Sequence, residues 1–261
     1  MKKNNNKKVS VLDVIRKIIF LIALIVFVFS GYKLFVIWKG YHDNKKAYDK
    51  VEQYAPEKVK SEDGEDLYKF TPEDFSKLYA VNNDLKGWIY VPKTEVNYPI
   101  VQTKDNDYYL HHNFYKEANS GGCIFIASEN KNPFNEQNTT IHGHHMKDGS
   151  MFASLKNFEE EEFFKKNKIV YITTKTEVLK YEVFSVYVQE ANNDPYLTDF
   201  TDDNDYIKYL NGLKEKSMYQ REGMTDFNAN DRIITLSTCN YEVNNGRLLV
   251  HARLVKEIKW Y

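Results

Sequence analysis

The stretch RIITLSTCNYEVNNGRLLVHARLV, residues 232–255, holds two alternating runs of apolar and polar residues joined by a polar connection. Alternation of period two marks strands with one face buried. In the first run Ile234 and Leu236 share a face with Thr238, whereas Thr235, Ser237 and Cys239 share the other. In the second, Leu248, Val250, Ala252 and Leu254 form the apolar face, with Arg247, Leu249, His251 and Arg253 opposite. The more apolar faces are the expected core, so Cys239 points away from it. If the runs pair as a hairpin across Asn240 to Gly246, Arg247 lies beside Cys239 on the same side of the sheet.

The same short-strand pattern recurs upstream at WIYV (88–91), NYPIVQ (97–102), CIFIA (123–127), NTTIHG (138–143), KIVYITT (168–174) and EVLKYEVFSVYVQ (177–189). With the two runs above, that makes eight short strands in one domain, which favours a barrel or a sandwich. Two helical insertions interrupt them, around 151–167 and 203–217. In the second, acids lead, lysines close, and Tyr206, Tyr209, Leu210 and Leu213 make one apolar stripe. Thr71-Pro72-Glu73-Asp74 is a helix start, with Thr71 as N-cap and proline at the first helical position, and the helix is expected to run to about Val81.

The chain has 261 residues, 42% of them hydrophobic and 15% aromatic, enough for one folded unit with appendages. A formal net charge of −1 gives no global basic surface, and no nucleic-acid motif is present, so nucleic acid is not expected as a partner. Charge is uneven, however. Lys2, Lys3, Lys7, Lys8, Arg16 and Lys17 precede an uncharged run from Ile18 to Tyr32, and LFVIW follows Lys33. This run reads as a membrane anchor over 18–38, with Lys33 snorkelling and Trp38 at the interface. The alternative is a cleaved signal peptide ending near Ser30. Positive-inside bias then places the N-terminus in the cytoplasm and the remainder outside the cell. Residues 39 to about 65 are charged and poor in aliphatics, and read as a helical stalk and linker.

Export leaves two readings for Cys123 and Cys239: one disulfide, or one buried and one reactive thiol. A guanidinium beside Cys239 would stabilise negative charge on sulfur or on a developing oxyanion. Against this stands an inert strand-end cysteine with a solvated Arg247. A nearby base would decide between them, and the concentrated supply is TTIHGHHMKDGSMF (139–152), with His142, His144 and His145. Metal is not expected there, because the hydrolase pattern H-x-H-x-D-H would need an acid where Met146 stands. His42, His111, His112 and His251 read as surface or packing residues.

TLSTC (235–239) followed by Arg247, with GHHMKDGSMF upstream, resembles the sortases, cysteine transpeptidases of Gram-positive cell surfaces. The likeness runs from about Trp88 to Val255 and takes in GWIYVP, NYPIVQ, GGCIFIASEN and DRIITLSTC in family order. GHHM-DGSMF, the helix at 203–217 and the N-terminal helical extension resemble class B. The resemblance implies a mainly β fold: an eight-stranded sortase-type barrel with N-terminal helices and a helix inserted between the sixth and seventh strands. It implies residues 1–17 as a basic cytoplasmic tail, 18–38 as a transmembrane signal-anchor, 39–69 as an extracellular stalk and 70–261 as the catalytic domain.

By the same resemblance Cys239 is the nucleophile, His144 the acid and base, and Arg247 the oxyanion or peptide clamp, with no cofactor. Asn106, Leu110, Tyr196, Leu197, Ser237 and His142 match positions that line the peptide groove. His142 stands where relatives often carry tyrosine, and Asn240 where some carry an acid, which leaves substrate preference open. The implied partners are secreted proteins with a C-terminal sorting signal and a peptidoglycan precursor or cross-bridge amine. An exported cysteine protease and a noncatalytic binding domain remain the alternatives. Amine dependence would separate the first, and tolerance of Cys239→Ala the second.

Overall fold

The computed structural model describes residues 10–61, 64–191, 196–224, 226–240 and 245–260. Lys2, Lys3, Lys7, Lys8 and the middle of the Asn240–Gly246 connection lie outside the described residues. The chain divides into two compact units, residues 1–42 and 43–261. A single helix, α1 (Val11–Glu52), contributes to both.

In the first unit the apolar side chains of α1 from Val11 to Trp38 are exposed. The expected single-pass anchor, and with it the cytoplasmic N-terminus and extracellular domain, is not supported, because among the described residues no helix is long and apolar enough to cross a membrane. The uncharged run Ile18–Tyr32 ends at Lys33. At ~1.5 Å per residue it covers about 22 Å, against a hydrocarbon core of about 30 Å.

In the second unit the last turns of α1 bury Tyr48 and Val51 in the main core. Strands β1 (Glu57–Lys60) and β2 (Asp66–Lys69) form an antiparallel pair in the segment that reads as linker from sequence. Lys58 and Lys60 both reach Asp66, and Thr173 Oγ1 donates to the Tyr68 carbonyl at 2.6 Å. Helix α2 (Pro72–Val81) begins where its cap predicts, the Thr71 hydroxyl accepting from the Asp74 amide at 3.0 Å.

The barrel strands are β3 (Leu85–Tyr90), β4 (Asn97–Val101), β5 (Ile124–Ile126), β6 (Asn138–His142), β7 (Ile169–Thr173), β8 (Glu177–Glu190), β9 (Ile233–Asn240) and β10 (Gly246–Lys259). They close in the order β10-β8-β7-β3-β4-β5-β6-β9. Pairs β4·β5 and β6·β9 are parallel and the others antiparallel, so the eight-stranded barrel expected from sequence is mixed. Closure removes every edge from the sheet. Ile100, Ile124, Ile141, Ile172, Val186, Leu236 and Val250 fill the interior.

The first insertion is a 3-10 stretch (Ala153–Glu159) followed by the short α3 (Glu161–Lys166). The second is α4 (Asp203–Glu215), between the sixth and seventh barrel strands, with Asp202 capping the Asp205 amide at 2.9 Å. Its Tyr206, Leu210 and Leu213 pack on Phe184, Tyr187, Ile233 and Leu249 from β8, β9 and β10, giving that outer barrel face a second core.

Candidate active site

The hairpin expected from alternation is present, and its register sets Cys239 directly opposite Arg247, with Ser237 opposite Leu249 and Thr235 opposite His251. On the other side of β9, His142 pairs with Ser237 in the parallel ladder from β6. Two residues past the end of β6, in the direction of Cys239, comes His144. A groove of about 450 Å³ opens over this corner, lined among others by Cys239, Arg247, His144, His142 and Ser237.

Main-chain carbonyls fix the two histidines after β6. His144 Nε2 lies 2.8 Å from the Leu110 carbonyl oxygen and His145 Nδ1 2.9 Å from that of Cys239. A carbonyl can only accept, so each of these ring nitrogens carries the proton. In neutral His144 the lone pair is therefore on Nδ1, the nitrogen available for proton exchange. The ring rests on a shelf made by Gly122, which has φ +60°. A Cβ at Gly122 would collide with the Tyr109 carbonyl oxygen and stand 3.0 Å from the Leu110 carbonyl and 3.2 Å from His144 Cδ2. Only glycine adopts that backbone freely and leaves that space. From below, Tyr48 of α1 donates to the Gly122 carbonyl at 2.6 Å.

Both cysteines are free thiols. Cys123 is buried, and burial pushes its thiol up to about 12, with a hydrogen bond to Tyr48 opposing. That thiol stays protonated and inaccessible. Cys239 is partly exposed in the groove. Burial pushes His142 down to about 4, with Glu129 pulling the other way and Arg247 adding to the drop. A neutral ring thus sits between Phe125 and Tyr196, at centroid distances of 5.3 and 5.2 Å.

Of the residues expected to line the groove, Asn106, Leu110, Tyr196, Ser237 and His142 do so. Leu197 does not; its side chain is exposed and its carbonyl accepts from Asn138 Nδ2 at 2.9 Å. The Tyr196 hydroxyl and Ser237 Oγ are 2.7 Å apart, which ties the segment before α4 to β9. Sequence reasoning missed Glu129, Gly122, and the hydrogen bond from His145 to the Cys239 carbonyl. GGC and SEN were both visible as strings, but only the folded chain shows that one lies under His144 and the other at the groove.

A family model described as "Sortase domain" matches residues 89–255. Sortase B of Listeria monocytogenes is 35% identical over 241 residues, covering 90% of this chain and 94% of its own. The crystal structure of sortase B from Bacillus anthracis in complex with AAEK1 has a TM-score of 0.71 and 39% identity, over 84% of this chain and 99% of that one. The sortase B–substrate complex of Staphylococcus aureus has a TM-score of 0.65 and 34% identity, over 71% of this chain and 86% of its own. With the family's domain spanning the barrel and class B relatives matching in both sequence and fold, the chain belongs to the sortase family, class B, the cysteine transpeptidases of cell-wall protein sorting.

Proposed function

We propose that Cys239 attacks the carbonyl of the threonine, or its equivalent, in a C-terminal sorting motif held in the groove. The thiol proton passes to the Nδ1 lone pair of His144 as the carbon–sulfur bond forms, and the carbonyl electrons move onto oxygen, where the Arg247 guanidinium balances the charge. As the tetrahedral centre collapses, the peptide C–N bond breaks and Nδ1 of His144 gives its proton to the departing amine. A peptidoglycan amine then attacks the thioacyl carbon, returns a proton to Nδ1 and expels the sulfur. The product is the secreted protein joined to the cell-wall amine.

The observation that carries this reading is the register pair Cys239–Arg247 at the open end of β9 and β10, with the carbonyl-fixed His144 lining the same groove. Leu110 serves through its main chain, holding the ring of His144. Ser237, Tyr196 and His142 form the apolar and hydroxyl-bearing wall for the peptide, and Asn106 supports it further along.

The full-length protein incubated with fluorogenic pentapeptides of NPxTN, LPxTG and PPxTG type, with and without peptidoglycan-like amines, tests the reading. Cleavage of one motif is expected, giving an amine-joined product and slowing by about a hundredfold or more in Arg247→Ala. Hydrolysis indifferent to added amine would instead identify a protease. Undiminished activity in Arg247→Ala would remove the oxyanion role.

A further inference from the structure

The groove is electrically polar along its length. Among the described residues that line it, Arg247 is the sole lysine or arginine and Glu129 the sole acid. Arg247 lies beside Cys239, at the reacting end. Glu129 lies toward the other end, because β5 runs antiparallel to β6, with Phe125 opposite His142 and Ile126 opposite Ile141, away from His144. β5 ends at Ile126 and the Ala127 amide still donates to the Thr140 carbonyl, so from the level of Cys239 the path to Ala127 covers about 13 Å at about 3.3 Å per residue, with Glu129 in the turn that follows. An extended peptide crosses that path in about four residues.

The carboxylate of Glu129 is oriented rather than loose. Asn106 Nδ2 donates to both of its oxygens, at 2.8 and 3.1 Å, and Ser128 Oγ donates to Oε2 at 3.3 Å. Asn106 is in turn fixed by the Ser128 amide, which donates to its Oδ1 at 2.8 Å. Both polar ends of the Asn106 amide are therefore engaged within the protein, and the residue acts as a bracket for the acid. Glu129 remains exposed, with its carboxyl held below the usual range chiefly by the Asn106 hydrogen bond. A carboxylate offers about four lone-pair sites, so these donors leave room for a ligand. Of the nearby basic groups, the Lys131 ammonium is held by the Ser128 carbonyl at 2.8 Å, and His142 is neutral at ordinary pH.

We propose that Glu129 is a specificity-determining residue that selects sorting peptides carrying a cationic side chain at, or just before, the first residue of the motif. The proposal rests on the transpeptidase reading of the groove. An acid at that place in the peptide meets like charge and is disfavoured, while lysine or arginine pairs with the bracketed carboxylate. The pair is exposed, so its contribution is modest and fades with salt.

The test is peptide binding to full-length Cys239→Ala, read by fluorescence polarisation, so that it does not depend on turnover. Peptides with intact NPxTN, LPxTG and PPxTG cores carry Lys, Gln or Glu at the residue before the motif, and a second set replaces the first motif residue itself by Lys, Gln or Glu. Lys is expected to bind about five- to tenfold more tightly than Glu at low salt, with most of the difference gone in 0.5 M NaCl. Glu129→Gln in the same background should flatten the ranking, and Glu129→Lys should invert it. A ranking unaltered by both substitutions, or binding that shows no Glu129-dependent charge preference for any core, overturns the proposal. Failure of the transpeptidase reading would show elsewhere, as lack of an amine-joined product from the protein with Cys239 intact.

Discussion

The β9–β10 pair carries polar residues on one face at two places four residues apart, and the two behave oppositely. At the open end Cys239 faces Arg247 across the strands, and both line the groove. At the sealed end Thr235 faces His251, and both are fully buried. There the Thr235 hydroxyl donates to Asn138 Oδ1 at 2.9 Å, so His251 Nδ1 donates to Thr235 at 3.0 Å. The other ring nitrogen of His251 accepts from the Tyr187 hydroxyl at 3.3 Å, and the Tyr187 ring stacks on it. One strand pair thus presents reactive groups where it lines the groove and a satisfied hydrogen-bond chain where the second core covers it. Cover, rather than residue type or strand parity, separates chemistry from architecture here.

Substitution at the two ends is the strongest way to break that contrast. Cys239→Ala is expected to lower transpeptidation by at least about a thousandfold while leaving the urea midpoint nearly unchanged. Thr235→Ala should do the reverse, costing about 1–3 kcal/mol of stability by stranding buried partners, with turnover of the folded fraction preserved. If Thr235→Ala proves as inactive as Cys239→Ala at full stability, the sealed end takes part in the chemistry and the contrast fails.

A pH series sharpens the sealed end. Burial, with Lys216 adding, pushes His251 down to about 3. An unfolded histidine titrates near ~6.5. Folding therefore keeps the ring neutral while the unfolded chain takes up a proton below ~6.5. The contribution is whole above that pH and is lost as pH falls from ~6.5 toward 3, at about 1.4 kcal/mol per unit, or about 2 kcal/mol by pH 5. Urea midpoints at pH 7 and pH 5 should show this loss in the wild-type protein and less of it in His251→Gln. An identical slope in the variant would mean that the ring is already hydrated in the folded state.

A last substitution probes what holds the open end together from outside the sheet. Gly122→Ala drives a methyl group into the Tyr109 carbonyl oxygen and against the Leu110 carbonyl and His144, in a left-handed backbone. The collision adds to about 1–2 kcal/mol of left-handed strain, and the resulting shift of residues 109–110 should appear as at least about tenfold slower turnover. A variant of full activity would show that His144 does not depend on that shelf.

Much of this was legible beforehand. The Thr71 cap and the start of α2 follow from four residues, and alternation in residues 232–255 fixed which side chains share a face. The spacing of the two runs also foretold that Arg247 would stand next to Cys239. Other features rest on contacts between distant segments, which no local pattern carries. Asn106 and Glu129 are 23 positions apart, and Tyr48 and Gly122 are 74 apart. The 15-residue uncharged run in α1 illustrates the opposite error, where local composition suggested a membrane span that the helix is not long and apolar enough to make.

What is periodic or local can be read along the chain: strand faces, helix caps, the β9–β10 hairpin register, and the family strings around Cys239 and His144. Alternation and capping act over a few residues, so they are written in order along the chain. Which polar residues stay open depends on how distant segments pack. The second core laid by α4 over one end of β9 and β10 buries His251, while the Leu110 carbonyl and the Gly122 shelf fix the proton-bearing nitrogen of His144. Burial and hydrogen-bond partnership belong to segments that meet in space, and the closed barrel is what brings them together.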